Sequence, residues 1–203
     1  MKSHSLLAGM ALCSALAAPV FAQSLSPADI LAKVEEKTKV TNGYQDLLND
    51  PDPARSMAAM EVMLDSGDAK LQRMALEYGL YSPNPQVRYL ALKAFFDGQP
   101  VLRMRIDGSK VKENFEYHID SLGGSIDSAK MGFLSMPVGE FIPDQSCYVR
   151  RDRNDCLVRI SETEISISLL SGNWFPVTLN DQGQLVGEVG FEPPAPVTIP
   201  VSN

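Results

Sequence analysis

Histidine, cysteine and tryptophan are scarce in this chain, and each scarcity removes a class of chemistry. The sequence of 203 residues holds two His, three Cys and one Trp. His4 falls in an N-terminal apolar segment, so His118 is the only imidazole beyond it. A lone histidine defines no triad, because a triad is a geometric object that spacing does not certify. No serine stands in a Gly-x-Ser-x-Gly elbow, and Gly123-Gly124-Ser125 lacks the lysine and helix of a phosphate loop. No catalytic residue is therefore assigned. A zinc site on Cys147 and Cys156 would need two further ligands and finds one histidine. Neither a metal nor a cofactor is expected.

Basic side chains are also in deficit, 18 against 25 acidic, for a net charge of −7. This balance disfavours nucleic acid, whose affinity comes largely from phosphate neutralisation. Long apolar runs are confined to one, Leu6 to Leu16, which follows Lys2 and precedes Val20-Phe21-Ala22. It is shorter than the roughly 20 residues of a bilayer span. Residues 1–22 therefore read as a cleaved signal peptide, with Gln23 as the mature start. Nothing later replaces it, so a periplasmic or secreted product without a transmembrane anchor is expected. Loss of Lys2 would leave 17 basic against 25 acidic side chains, or −8.

Export also gives meaning to the cysteines. With Cys13 in the leader, Cys147 and Cys156 remain, with eight residues between them. In an oxidising compartment they read as one disulfide, clamping a hairpin whose turn lies near Asp152-Arg153-Asn154. Their Cα atoms should then lie about 4.4–6.8 Å apart on neighbouring antiparallel strands.

The apolar period changes near Gly98-Gln99-Pro100. Residues 23–98 read as a helical domain and 99–203 as a β-rich one. A first helix opens at Ser26-Pro27, shows a thin stripe of Ile30, Leu31 and Val34, and is expected to end at Asn42-Gly43. Asp52-Pro53, Asp68 and Asn84-Pro85 open three more. Leu71, Met74, Ala75 and Tyr78 fall on one face of the third; Val87, Leu90, Ala91, Ala94 and Phe95 do so in the fourth. Second stripes, Leu76 with Leu80 and Tyr89 with Leu92 and Phe96, imply neighbours on two sides. Met57, Met60 and Met63 are soft ligands at helical spacing, but Met57 and Met60 also fall, with Leu64, on the stripe where the core needs gap-filling side chains.

Beyond Pro100, strands are expected over Val101 to Ile106, Phe115 to Ile119, Cys147 to Val149, Leu157 to Ile160, Glu164 to Leu169, Trp174 to Leu179, Gln184 to Val189 and Val197 to Val201. Ile165, Ile167 and Leu169 alternate with serines, which suggests one wet sheet face. Asn180 to Gly183 marks a hairpin turn.

Asp52-Pro53-x-Arg55-x-x-Ala58 is echoed by Asn84-Pro85-x-x-Arg88-x-x-Ala91, at an offset of 32 or 33 residues. Residues 44–97 in this respect resemble HEAT repeats. That resemblance implies paired helices that bind partners, and a structural arginine at Arg88. The expected fold is α+β: HEAT-like helical hairpins followed by a small antiparallel β-sandwich or open barrel.

Three functional readings follow. The first is a non-enzymatic envelope protein that binds another protein through its helical surface. Lys70, Arg73 and Lys93 lie off the core stripes and would meet an acidic partner. The second is a glycan- or lipid-binding module in the β half, using Trp174 and the hairpin arginines Arg150, Arg151 and Arg153. The third is a hydrolase of unknown substrate using His118.

Overall fold

A computed structural model describes residues 25–153, 155–161, 163–169 and 173–201. The expected leader lies outside these residues, as does Asn154 of the hairpin turn. The chain divides into two compact units, residues 1–43 and 44–203.

Helix α1 (Pro27–Leu48) supplies nearly all that is described of the first unit. Ser26 caps it reciprocally: the Asp29 amide donates to Ser26 Oγ at 3.2 Å, and the Ser26 amide donates to Asp29 Oδ2 at 3.1 Å. The expected stripe of Ile30, Leu31 and Val34 is exposed. Asn42-Gly43 does not end the helix. A helical glycine costs only about 1 kcal/mol relative to alanine, and the last turn beyond it carries Leu48, which is buried.

In the second unit, α2 (Pro53–Asp65), α3 (Ala69–Leu80) and α4 (Pro85–Asp97) start at the expected caps. Asp52 accepts from the Ala54 amide, Asp68 from those of Lys70 and Leu71, and Asn84 from that of Gln86. Each cap satisfies amides the helix leaves without internal partners. Leu48, Met60, Met63, Ala75 and Val87 form their core, with Met57 and Met74 packed against it, so these methionines fill space between helices. The Ser56 hydroxyl, 2.8 Å from Tyr78 Oη and donating to the Leu48 carbonyl, ties α1's last turn to α2 and α3. Gly79 permits the close approach of α3: a Cβ there would lie 2.5 Å from Ala91 Cβ and 2.9 Å from Met60 Sδ.

The strands are β1 (Val101–Asp107), β2 (Ser125–Ile126), β3 (Met131–Ile142), β4 (Cys147–Arg150), β5 (Cys156–Ile160), β6 (Ile165–Ser168), β7 (Trp174–Leu179), β8 (Gln184–Val189) and β9 (Ala195–Pro200). From β3 to β9 each strand pairs antiparallel with the next, and β1 pairs with both β3 and β9. The result is a closed eight-stranded barrel with β2 added on β3, rather than a sandwich or an open barrel. Closure removes the free edges that invite pairing with other chains. A barrel of this size is just wide enough for side chains to fill. Leu102, Met104, Ile106, Leu134, Met136, Ile167, Phe175, Leu185 and Val197 do so here.

Helices stopper the barrel. Leu92 and Phe96 of α4, just before β1, join the barrel core, as do Phe115 and Ile119 of α5 (Phe115–Ser121), just after it. The expected strand at Phe115 to Ile119 is thus a helix. Phe115 and Ile119, four residues apart, are buried together, while Tyr117 is 71% exposed. The Phe115 ring occupies the space a side chain at Gly108 would need.

Two more expectations need correction. Strand β3, the longest, is not among the expected strands, since Gly132, Pro137 and Gly139 dilute its pattern. Pro137 still accepts from the Arg151 amide at 2.9 Å, and the register shifts between Val138 and Phe141. The serines of β6 do not face water: Ser166 and Ser168 are buried. They are flanked across the sheet by Arg159, Pro176 and Trp174, and Ser166 Oγ donates to Glu164 Oε1 at 2.7 Å.

The disulfide is present between Cys147 and Cys156 on paired strands, with Cα atoms 5.7 Å apart.

Candidate partner-binding groove

The helical layer and the barrel leave a groove of about 700 Å³ between them. Its apolar lining comes from Leu64 of α2, Leu76 and Leu80 of α3, Phe95 of α4, and Pro100 and Val201. The Gln72 side-chain amide donates to the Leu64 carbonyl at 2.9 Å, which fixes the corner between α2 and α3. The charged lining is one guanidinium, Arg73, against three carboxylates, Asp65, Glu77 and Asp97.

Of the three expected contact residues, Arg73 alone lines this groove. Lys70 sits in the first turn of α3, away from the groove lining. Lys93 is held by Asp97, Nζ to Oδ2 at 2.6 Å. Asp97 is the residue the sequence reading overlooked. Its Oδ1 accepts from Tyr148 Oη at 2.7 Å, and that hydroxyl lies 3.5 Å from the Lys93 carbonyl. The Tyr148 ring, 5.5 Å from that of Phe96, is thereby fixed to α4. Burial, and then the Asp97 carboxylate, push the Tyr148 phenol above its ordinary range. A signal was present: an acid in the last turn of a helix faces the negative end of the dipole and calls for a partner.

The hairpin arginines do not gather. Arg150 points into the barrel opposite Val138 and is 2% exposed; its Nη2 donates to the Leu169 carbonyl at 3.0 Å and lies 3.5 Å from Asp155 Oδ2. Arg151 Nη2 donates to the carbonyls of Gln99 at 2.6 Å and Val138 at 2.9 Å, lashing the α4–β1 connection to β3. Arg153 is exposed at the turn. Trp174 is half-buried, and the Arg159 guanidinium lies 4.2 Å over one face of its ring. His118 stands on α5 between the rings of Tyr117 and Phe191, with centroids 5.6 and 5.8 Å away.

Arg55 pairs with Asp50 at 3.0 Å. Arg88 donates to the Ser82 carbonyl at 2.7 Å, a structural contact within its own helix–loop unit rather than with an acid. Among the described residues no group of three or more His, Cys, Asp or Glu is placed to hold a metal ion. No helix among them is long and apolar enough to cross a membrane.

Comparison of the chain with protein-family models, with curated proteins and with solved structures finds no match in any of the three.

Proposed function

We propose that this chain is an exported, non-enzymatic binding protein of the cell envelope that holds a segment of a partner protein in the groove between α3, α4 and the barrel mouth. The observation that carries the reading is the groove's composition: apolar Leu76, Leu80 and Phe95 share one lining with charged Asp65, Arg73 and Glu77. Apolar surface mixed with charged side chains suits a protein interface. With Asp97 paired to Lys93 and Tyr148, two carboxylates, Asp65 and Glu77, remain against one guanidinium and favour an apolar segment that carries basic residues. The acidic partner expected from Lys70, Arg73 and Lys93 is not favoured for this groove, because Arg73 alone of the three lines it and Lys93 is paired with Asp97.

Labelled peptides of matched apolar content, one basic and one acidic, test this by fluorescence anisotropy. The basic peptide should bind, and the charge reversals Asp65→Lys and Glu77→Lys, both at exposed positions, should weaken it by about tenfold or more, equivalent to 1.4 kcal/mol. Tighter binding of the acidic peptide, or indifference to both reversals, would remove the groove from consideration.

A further inference from the structure

The outer face of β1 and β3 carries a second, oppositely charged surface. Arg103 and Arg105 project to the same exposed side of β1 because strand side chains alternate. Their neighbours across the sheet are uncharged: Arg103 faces Ser135, and Arg105 lies between Phe133 on β3 and Thr198 on β9. The row continues through Ser125 beyond Phe133. Among the described residues neither guanidinium has an ion pair or side-chain hydrogen bond. In a chain of net charge −7, an adjacent pair of uncompensated arginines is a departure that solubility does not explain. Phe133 beside them is 38% exposed.

Asp107 shares the arginines' face, and among the described residues no acid forms an ion pair with either of them. Asp107, two residues along β1, accepts the Ser109 amide at 2.9 Å. Glu188 lies on β8, two strands from β1. The surface is rigid, since β1 and β3 are registered over their full overlap, from Val101 opposite Pro137 to Asp107 opposite Met131.

We infer that this face binds an extended acidic segment of another polypeptide, with two of its carboxylates seated on Arg103 and Arg105 and an intervening side chain against Phe133. The spacing supports that occupant. Residues two apart on a strand are separated by about 6.4–6.8 Å, so the arginines repeat at the period of alternate side chains in an extended peptide. Guanidinium groups take carboxylates bidentately, which rewards matched spacing. This surface is separate from the groove, and either assignment stands if the other fails.

The experiment uses the full chain and two labelled peptides of identical composition, read by anisotropy at low ionic strength. One alternates Glu with Thr; the other repeats Glu-Glu-Thr-Thr, which divides its carboxylates between both faces when extended. Wild-type protein should prefer the alternating peptide, and Arg103→Gln with Arg105→Gln should weaken it by about tenfold or more. Both positions are exposed, so the thermal midpoint of the double variant should match wild type, and a lysine pair at these positions should recover only part of the affinity. Equal binding of the two peptides, or unchanged binding by the glutamine variant, overturns the inference. So does tighter, equally arginine-dependent binding of an oligothymidylate, which would assign the face to phosphates instead.

Discussion

Replacing Phe96 with alanine tests how the helical layer and the barrel are joined. Phe96 is fully buried in the core shared by α4 and the barrel strands. Its ring lies 5.2 Å from that of Phe95 and 5.5 Å from that of Tyr148. Truncating a buried phenylalanine costs about 3–5 kcal/mol through lost transfer energy and the cavity left behind. Aromatic pairing adds about 0.5–1.5 kcal/mol per pair where the geometry is favourable. Tyr148 also loses the packing that orients its hydroxyl toward Asp97. The cost should therefore fall in the upper part of the range, near 4–5 kcal/mol. Stabilities of domains run about 5–15 kcal/mol, so the variant should be severely weakened. Urea denaturation offers two independent reporters: far-UV circular dichroism follows the helices, and the fluorescence of Trp174, the sole tryptophan, follows β7. Both midpoints should fall together. If the helical signal melted early while the Trp174 transition stayed in place, α4 would not be an integral stopper of the barrel.

Three further outcomes follow from named contacts. Tyr148 should stay protonated in the native protein as the pH rises past about 10, where an unfolded tyrosine ionises. Its raised native pKa means that stability is full below that pH and declines above it. Phenolate absorbance compared with that of Tyr148→Phe should show the Tyr148 phenolate only on unfolding, and its appearance in the native protein at about pH 10 would refute the contact. Gly79→Ala should lower the thermal midpoint, because overpacking costs about 1–3 kcal/mol against about 1 kcal/mol of helix propensity gained; Ala91→Gly in the same chain should recover part of the loss, and strictly additive effects would count against the crossing at Gly79. Replacing Cys147 and Cys156 by serine should cost about 2–3 kcal/mol in denaturant titrations, and thiol titration of the exported protein, denatured without reduction, should detect no free thiol; two reactive thiols per chain would refute the pairing.

Local chemistry was legible in the sequence, and long-range closure was not. Asp52, Asp68 and Asn84 identify helix starts because a cap bonds amides only two or three residues away. The hairpin turn between β7 and β8 and the pairing of Cys147 with Cys156 are equally local. The errors arose where one short pattern serves two structures. Phe115, Tyr117 and Ile119 alternate like a strand, yet Phe115 and Ile119 alone also satisfy a helix face. The serines of β6 look wet until Arg159, Pro176 and Trp174 lie across them. The barrel's closure joins β1 to β9, nearly at opposite ends of the β-rich half, and no window of sequence contains that pairing. The groove is distant in the same sense: it needs α2, α3, α4 and Val201 at once, so Arg73 was found and Asp97 was missed.

The most direct test of the proposed binding role is photo-crosslinking from the groove in the native cell envelope. A benzophenone amino acid is placed at Gln72, an exposed groove residue, and in a control at Gln86, an exposed residue at the start of α4 outside the groove lining. The account predicts an adduct from position 72 alone, with the crosslinked segment, identified by mass spectrometry, apolar and basic, and with the adduct lost on Glu77→Lys. Equal labelling from both positions, an acidic crosslinked segment, or no adduct from position 72 would contradict it.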